Sequence, residues 1–166
     1  MQSYSYGGLA ALKSGLILVC ALLLGTQSCD AMEGGVYTVY LVRHAEKQAD
    51  GSKDPPLTPC GEQRARALVS VFDSIELAAV YTTPYRRTKG TAQAIAQAQR
   101  LDIEFYDPRQ LEDFAIALKA LKRDVLVVGH SNTTPVLAGL LVDQAMNAID
   151  ESIYNRLYQV LLDDDG

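Results

Sequence analysis

The run "VLVVGH", residues 125–130, constrains the fold of this chain more than any other stretch. It is apolar without period-two alternation, so a strand there has to be covered on both faces. Strands of that kind sit in the middle of parallel sheets. The rest of the chain agrees. β-rich runs at residues 36–42, 77–82, 103–106 and 157–162 alternate with stretches whose apolar residues recur at helical spacing. Those stretches are Ala65, Leu68, Val69, Phe72; then Ala92, Ile95, Ala96; then Leu111, Phe114, Ala115, Leu118; then Leu137, Leu140, Leu141. Strand–helix alternation gives βαβ units, and the expected class is α/β: a three-layer α/β/α sandwich around a mostly parallel sheet. No repeat, low-complexity segment or linker interrupts residues 36–163, which read as one domain.

Four dipeptides predict helix starts: Thr58-Pro59, Thr83-Pro84, Asp107-Pro108 and Thr134-Pro135. Each offers a capping side chain followed by a proline whose missing N–H costs nothing in the first turn. Several follow closely after strands. In an open α/β sheet that edge is where ligands bind, and helix N-termini there present free N–H groups to an anion.

The segment before residue 36 has a different character. Lys13 precedes the apolar run of residues 16–24, and "TQSCDAMEGG" follows it. A charge, a short apolar stretch and then small residues is the layout of a secretory signal, too short to span a bilayer. Residues 1–31 are therefore expected to direct export to a periplasmic or other extracytoplasmic location, with cleavage after Ala31. "GTQSC" also resembles a bacterial lipoprotein signal, which makes lipidation at Cys29 the alternative and the one expected contact with a membrane. Cys20 falls in the apolar run, leaving Cys60 as the cysteine of the mature domain; an internal disulfide is then impossible and the core must hold the fold. Net charge is −5 with no Lys/Arg-rich tract, which excludes a nucleic-acid footprint and a basic membrane face. A pocket on an acidic protein can still be locally positive.

Such a pocket is legible. The chain has two histidines, His44 and His130, and each stands directly after an apolar strand. Arg43 accompanies the first, and Arg86 and Arg87 follow the strand end in "YTTPYRRTKGTA". Imidazoles and guanidinium groups gathered at one sheet edge suit a phosphoryl group, whose oxygens accept paired Arg hydrogen bonds.

Together "LVRHAEK", "LTPCGEQRA", "YTTPYRRTKGTA" and "VLVVGHSN" resemble, in order, the motifs of the histidine phosphatase (phosphoglycerate mutase-like) superfamily. The resemblance covers about residues 37–162. It implies a phosphoglycerate mutase-like fold and metal-independent hydrolysis without a cofactor, through a phosphohistidine on His44. It assigns Arg43, Arg87 and His130 to the phosphoryl oxygens. Arg87 is chosen over Arg86 because it precedes a small residue and stands four before Thr91; Arg86 is expected to face solvent. Candidate substrate contacts are Ser131, Asn132, Lys47 and Thr58. An acidic proton donor is common in the family, and the nearest candidates here are Glu112 and Asp113. Cys60 is expected to be incidental, and Tyr154 and Tyr158 to be packing residues. Small size and the absence of an inserted lobe resemble the short bacterial phosphohistidine phosphatases, whose phosphoramidate substrates need less acid help than alkyl esters. An exported protein would not meet their cytosolic partners, so the expected substrate is a phosphorylated small molecule or phosphoprotein outside the cytoplasm. The alternative is an inactive protein that binds a phosphorylated ligand in the same pocket.

Overall fold

The sheet of the computed structural model, which describes residues 35–164, is built outward from the strand that the sequence places at its centre. Five strands run in the order β3-β2-β4-β1-β5. Central β4 (Val125–Gly129) pairs in parallel with β1 (Tyr37–Arg43) on one side and β2 (Ala79–Thr82) on the other. Short β3 (Ile103–Phe105) continues in parallel along β2, and β5 (Leu157–Leu162) closes the opposite edge antiparallel to β1. The residues 1–31 read as a signal, with Cys20 and Cys29, lie outside the described residues.

Alternate residues of the central strands feed two cores. Val39, Leu41, Val125 and Val127 pack with Leu118, Leu137 and Leu141 on one face. Tyr40, Val42, Leu126 and Val128 pack with Phe72 and Ile95 on the other. Helices α3 (Leu111–Leu121) and α4 (Thr134–Leu141) cover the first face; α2 (Arg86–Gln99) covers the second, with α1 (Pro59–Ala67) packed beside it. A sheet buried on both sides is the reason that β4 shows no alternation. The α/β architecture, helices on both faces of a mostly parallel sheet, is the three-layer sandwich expected from the sequence.

One helix start matches its dipeptide, and three are displaced. Thr58 caps α1: its hydroxyl accepts the Gly61 N–H at 3.0 Å, and Pro59 is the first helical residue. The others are corrected by competing partners. Thr83 is drawn away by His130 and Thr88, so α2 begins later, at Arg86, with Tyr85 in the capping position and no side-chain cap. Asp107 turns its carboxylate to the Arg109 N–H, and α3 waits until Leu111. At α4 the capping position is Thr133, which shifts Thr134 to the first helical residue with Pro135 after it.

Gly61 carries a sharper constraint. A Cβ there would come within 2.3 Å of the backbone oxygen of Glu46, an atom held by the Thr58 N–H at 2.8 Å. Backbone cannot yield as a flexible side chain can. Gly61→Ala is expected to lower stability by about 1–3 kcal/mol, an overpacking cost read as a shift of the urea midpoint at constant m.

The antiparallel direction of β5 decides what surrounds the site. Leu157, its first residue, pairs with Val42, so the chain that precedes it arrives beside Arg43. Residues 150–154 are thereby brought to the edge where the parallel strands end.

Candidate active site

The two histidines meet because β1 and β4 are parallel neighbours in register. Arg43 pairs with Gly129, and the His44 N–H extends the ladder to the Gly129 oxygen at 2.9 Å. The imidazole rings of His44 and His130 stand 5.5 Å apart, centre to centre. Thr91 of α2 fixes the turn after His44, accepting the Ala45 N–H at 2.9 Å while donating to the Arg87 carbonyl.

His44 Nδ1 lies 2.7 Å from the Ala45 carbonyl oxygen. A carbonyl only accepts, so Nδ1 carries the proton and Nε2 keeps its lone pair. Nε2 makes no hydrogen bond among the described residues. Burial pushes the pKa of His44 down to about 3, with His130, Arg43 and Arg87 lowering it further against the opposing effect of the Ala45 bond. The ring is neutral at any physiological pH.

His130 is oriented by a chain of hydroxyls. Its Nε2 is 2.9 Å from Thr83 Oγ1, which is 3.0 Å from Thr88 Oγ1; the Thr88 hydroxyl reaches the Thr83 and Tyr85 carbonyls at 2.8 and 2.9 Å. Those carbonyls take the Thr88 proton, Thr88 accepts from Thr83, and Thr83 therefore accepts from His130. The chain sets His130 as the Nε2–H form. Burial, with the charges of Arg87 and Arg43, lowers its pKa to about 4 despite the opposing charge of Glu151.

Two guanidinium groups flank the rings. Arg87, in the first turn of α2, packs its plane over Tyr85 at 4.4 Å, and its Nη1 is 3.6 Å from Asp54, beyond hydrogen-bond range. Its Nε and Nη1 are buried with no hydrogen-bond partner among the described residues, as is Arg43 Nε. Buried N–H groups without partners are costly unless something else satisfies them, and an oxyanion fits. Arg43 is otherwise well held: Nη1 donates to the carbonyls of Asp150, Glu151 and Ile153, and Nη2 to the Glu151 carboxylate at 2.7 Å.

The other candidates divide. Arg86 is exposed, as expected, and its backbone N–H donates to Asp54. Ser131 is buried and donates to Glu151. Lys47 forms an isolated antiparallel bridge with Leu57, and its charge is felt at Glu151. Asn132 is exposed beside His130. Thr58, read as a substrate contact, spends its hydroxyl on capping α1 and on the Glu46 carbonyl at 3.4 Å. Glu112 and Asp113 are exposed in the first turn of α3, where they line a shallow groove with Arg109, Val136 and Leu140. Neither has a hydrogen bond or ion pair with a site residue. The acidic residues that do reach the site are Glu151, on Arg43, and Asp54, 3.6 Å from Arg87. Tyr154 does pack, over Arg43 at 4.1 Å and 6.1 Å from His44, and Tyr85 stands edge-on to His130 at 5.3 Å.

Lowered histidine pKa values have a consequence for folding. Unfolded imidazoles bind protons below about pH 6.5, whereas these two stay neutral in the fold until about pH 3 and 4. The unfolded chain therefore takes up more protons across that window, and stability falls as pH drops from about 6.5 toward 4. The slope is up to about 1.4 kcal/mol per pH unit for each histidine. Urea titrations at pH 7, 6 and 5 should show this fall, and His44→Asn should remove about half of it.

Comparison with known proteins agrees with this fold. The model of the histidine phosphatase superfamily (branch 1) matches residues 39–109. "Probable phosphoglycerate mutase GpmB" of Salmonella choleraesuis is 41% identical over 73 residues, 40% of this chain and 34% of that protein. The match thus spans about a third of the relative's length. Among solved structures, the alpha-ribazole phosphatase of Shigella flexneri superposes with a TM-score of 0.58 at 16% identity, covering 65% of this chain and 81% of that one. The protein histidine phosphatase SixA, complexed with tungstate, gives 0.54 at 22% identity over 61% and 74%. The motif order, the family match over residues 39–109 and the shared fold converge: this chain is similar to the histidine phosphatase superfamily in sequence over that segment and in fold.

Proposed function

We propose that the protein is a metal-independent phosphohydrolase working through a phosphohistidine on His44. Nε2 attacks phosphorus, the N–P bond forms as the bond to the leaving group breaks, and the leaving group departs with its electron pair. Water then cleaves the N–P bond and releases inorganic phosphate. Catalysis is mainly the fixing of phosphoryl charge by Arg87 and Arg43; His130, expected as a further donor, instead spends its N–H on Thr83. The observation that carries this reading is the pairing of a neutral His44, its Nε2 free, with buried guanidinium N–H groups that lack hydrogen-bond partners. The tungstate complex of SixA supports it, since tungstate is a tetrahedral dianion like phosphate.

The protonation states favour one kind of substrate. Both imidazoles are neutral near pH 7, and Ser131, with Arg43, holds Glu151 in its ionised form. No acid stands ready for an alkoxide, so the site suits leaving groups that depart without one: a phosphoramidate, or an aryl rather than alkyl phosphate. The remainder of the substrate would lie in the cleft of about 520 Å³ walled by Tyr85, Pro84, Phe105 and Pro108. Export through residues 1–31 remains part of this proposal; fatty-acid labelling that survives Cys29→Ser would remove the lipidated version.

The test is direct. Protein incubated with a chromogenic aryl phosphate and trapped during turnover should carry an acid-labile, base-stable phosphoryl group. Oxyanion binding with no adduct and no turnover would convert the reading to an inactive phospho-ligand binder.

A further inference from the structure

Arg43 is held in two distinct ways. Its Nη1 is fixed by backbone: the carbonyls of Asp150, Glu151 and Ile153 at 3.3, 2.9 and 2.9 Å. The turn that presents them is tied internally, Asp150 accepting from the Ser152 N–H at 2.8 Å and from the Ser152 hydroxyl. Its Nη2 instead meets a side chain, the Glu151 carboxylate, at 2.7 Å. The second oxygen of that carboxylate accepts from the Ser131 hydroxyl. One carboxylate thus bridges Arg43, which the proposed function turns toward a phosphoryl group, and Ser131, a candidate substrate contact.

Burial differs sharply between the two partners. The Arg43 side chain is 0% exposed and that of Glu151 is 72% exposed. The carboxylate reaches in from solvent and can return to it without disturbing the core. A phosphoryl dianion beside it would set like charges on the same donors, which two anions do not tolerate at hydrogen-bonding distance. The charged groups facing Glu151 are Arg43 and Lys47, the titratable ring of His44 also faces it, and its own charge acts on His130.

We infer that Glu151 is a resident competitor for the phosphoryl site: its carboxylate occupies a phosphoryl-oxygen position on Arg43 and Ser131 at rest, and substrate enters by displacing it. Nη1 keeps its carbonyls throughout, so the guanidinium stays in place while the side chain leaves. The inference rests on the oxyanion reading of this pocket. It sets apparent affinity for phosphate and for substrate, raising KM relative to a pocket without the carboxylate.

The opposite role, a buttress that merely orients Arg43, predicts the opposite sign. Inorganic phosphate and tungstate binding would be measured by titration calorimetry at pH 7.5 on wild type and Glu151→Gln. The expected result is roughly three- to tenfold tighter binding in the variant, the range of a partly exposed ion pair, with KM for an aryl phosphate lowered in step. Equal or weaker binding by Glu151→Gln overturns the inference. If neither protein binds either oxyanion, it is the phosphohydrolase reading itself that fails. Glu151→Asp, which withdraws the carboxylate by one methylene, should move affinity in the same direction and serves if the Gln variant does not fold.

Discussion

His44→Ala should yield no phosphoryl-protein and should lose on the order of 10⁴-fold or more in kcat/KM toward an aryl phosphate. The size follows from the absence of a substitute. His130 is the nearest imidazole, but its Nε2 donates to Thr83, so that nitrogen has no lone pair to offer. Cys60 is exposed on the first turn of α1, away from the ring pair. The variant should fold, since the loop around residue 44 is secured by backbone: the N–H of residue 44 to Gly129 and that of Ala45 to Thr91. Free imidazole in the assay should restore a fraction of turnover by entering the space left. Wild-type rates in His44→Ala would exclude the mechanism outright.

Arg87→Ala should cost about 10²- to 10³-fold in kcat, the scale of losing a preorganised donor to developing negative charge. Two nitrogens of this side chain, Nε and Nη1, are buried without partners, so the ground state already bears their desolvation. An incoming oxyanion recovers it. Arg87→Lys should rescue little, because an ammonium cannot place two donors in the plane fixed by Tyr85. Arg86→Ala, on an exposed neighbour, is the control and should leave kcat within about threefold. A full rescue by lysine would mean that Arg87 acts only as a charge.

The sequence made part of this site readable and hid part of it for identifiable reasons. Strands were visible because burial on both faces leaves an unbroken apolar run, as in Val125–Gly129. His44, His130 and Arg87 were visible because each sits at a fixed offset from a strand or helix boundary. Glu151 was not. It belongs to no motif and reaches Arg43 only because β5 runs back antiparallel along β1, a pairing of residues more than a hundred apart. Glu112 and Asp113 were closer to the catalytic residues along the chain, but α3 leaves them exposed. Thr83 is displaced as a helix cap by a tertiary partner, His130, and Asp107 by a local one, the N–H of Arg109 two residues on, which closes a turn ahead of α3. Capping rules hold where nothing outside the turn competes, as at Thr58.

Edge strand β5 has a kinetic corollary. Until it docks, the guanidinium of Arg43 lacks every carbonyl that later surrounds it, and a bare cation would have to be dehydrated alone. Assembly of the proposed phosphoryl pocket is therefore expected to wait until β5 has docked along β1. Pulse-labelled amide exchange should find the residues around position 151 shielded no earlier than β5, so that an immature molecule lacks the proposed pocket.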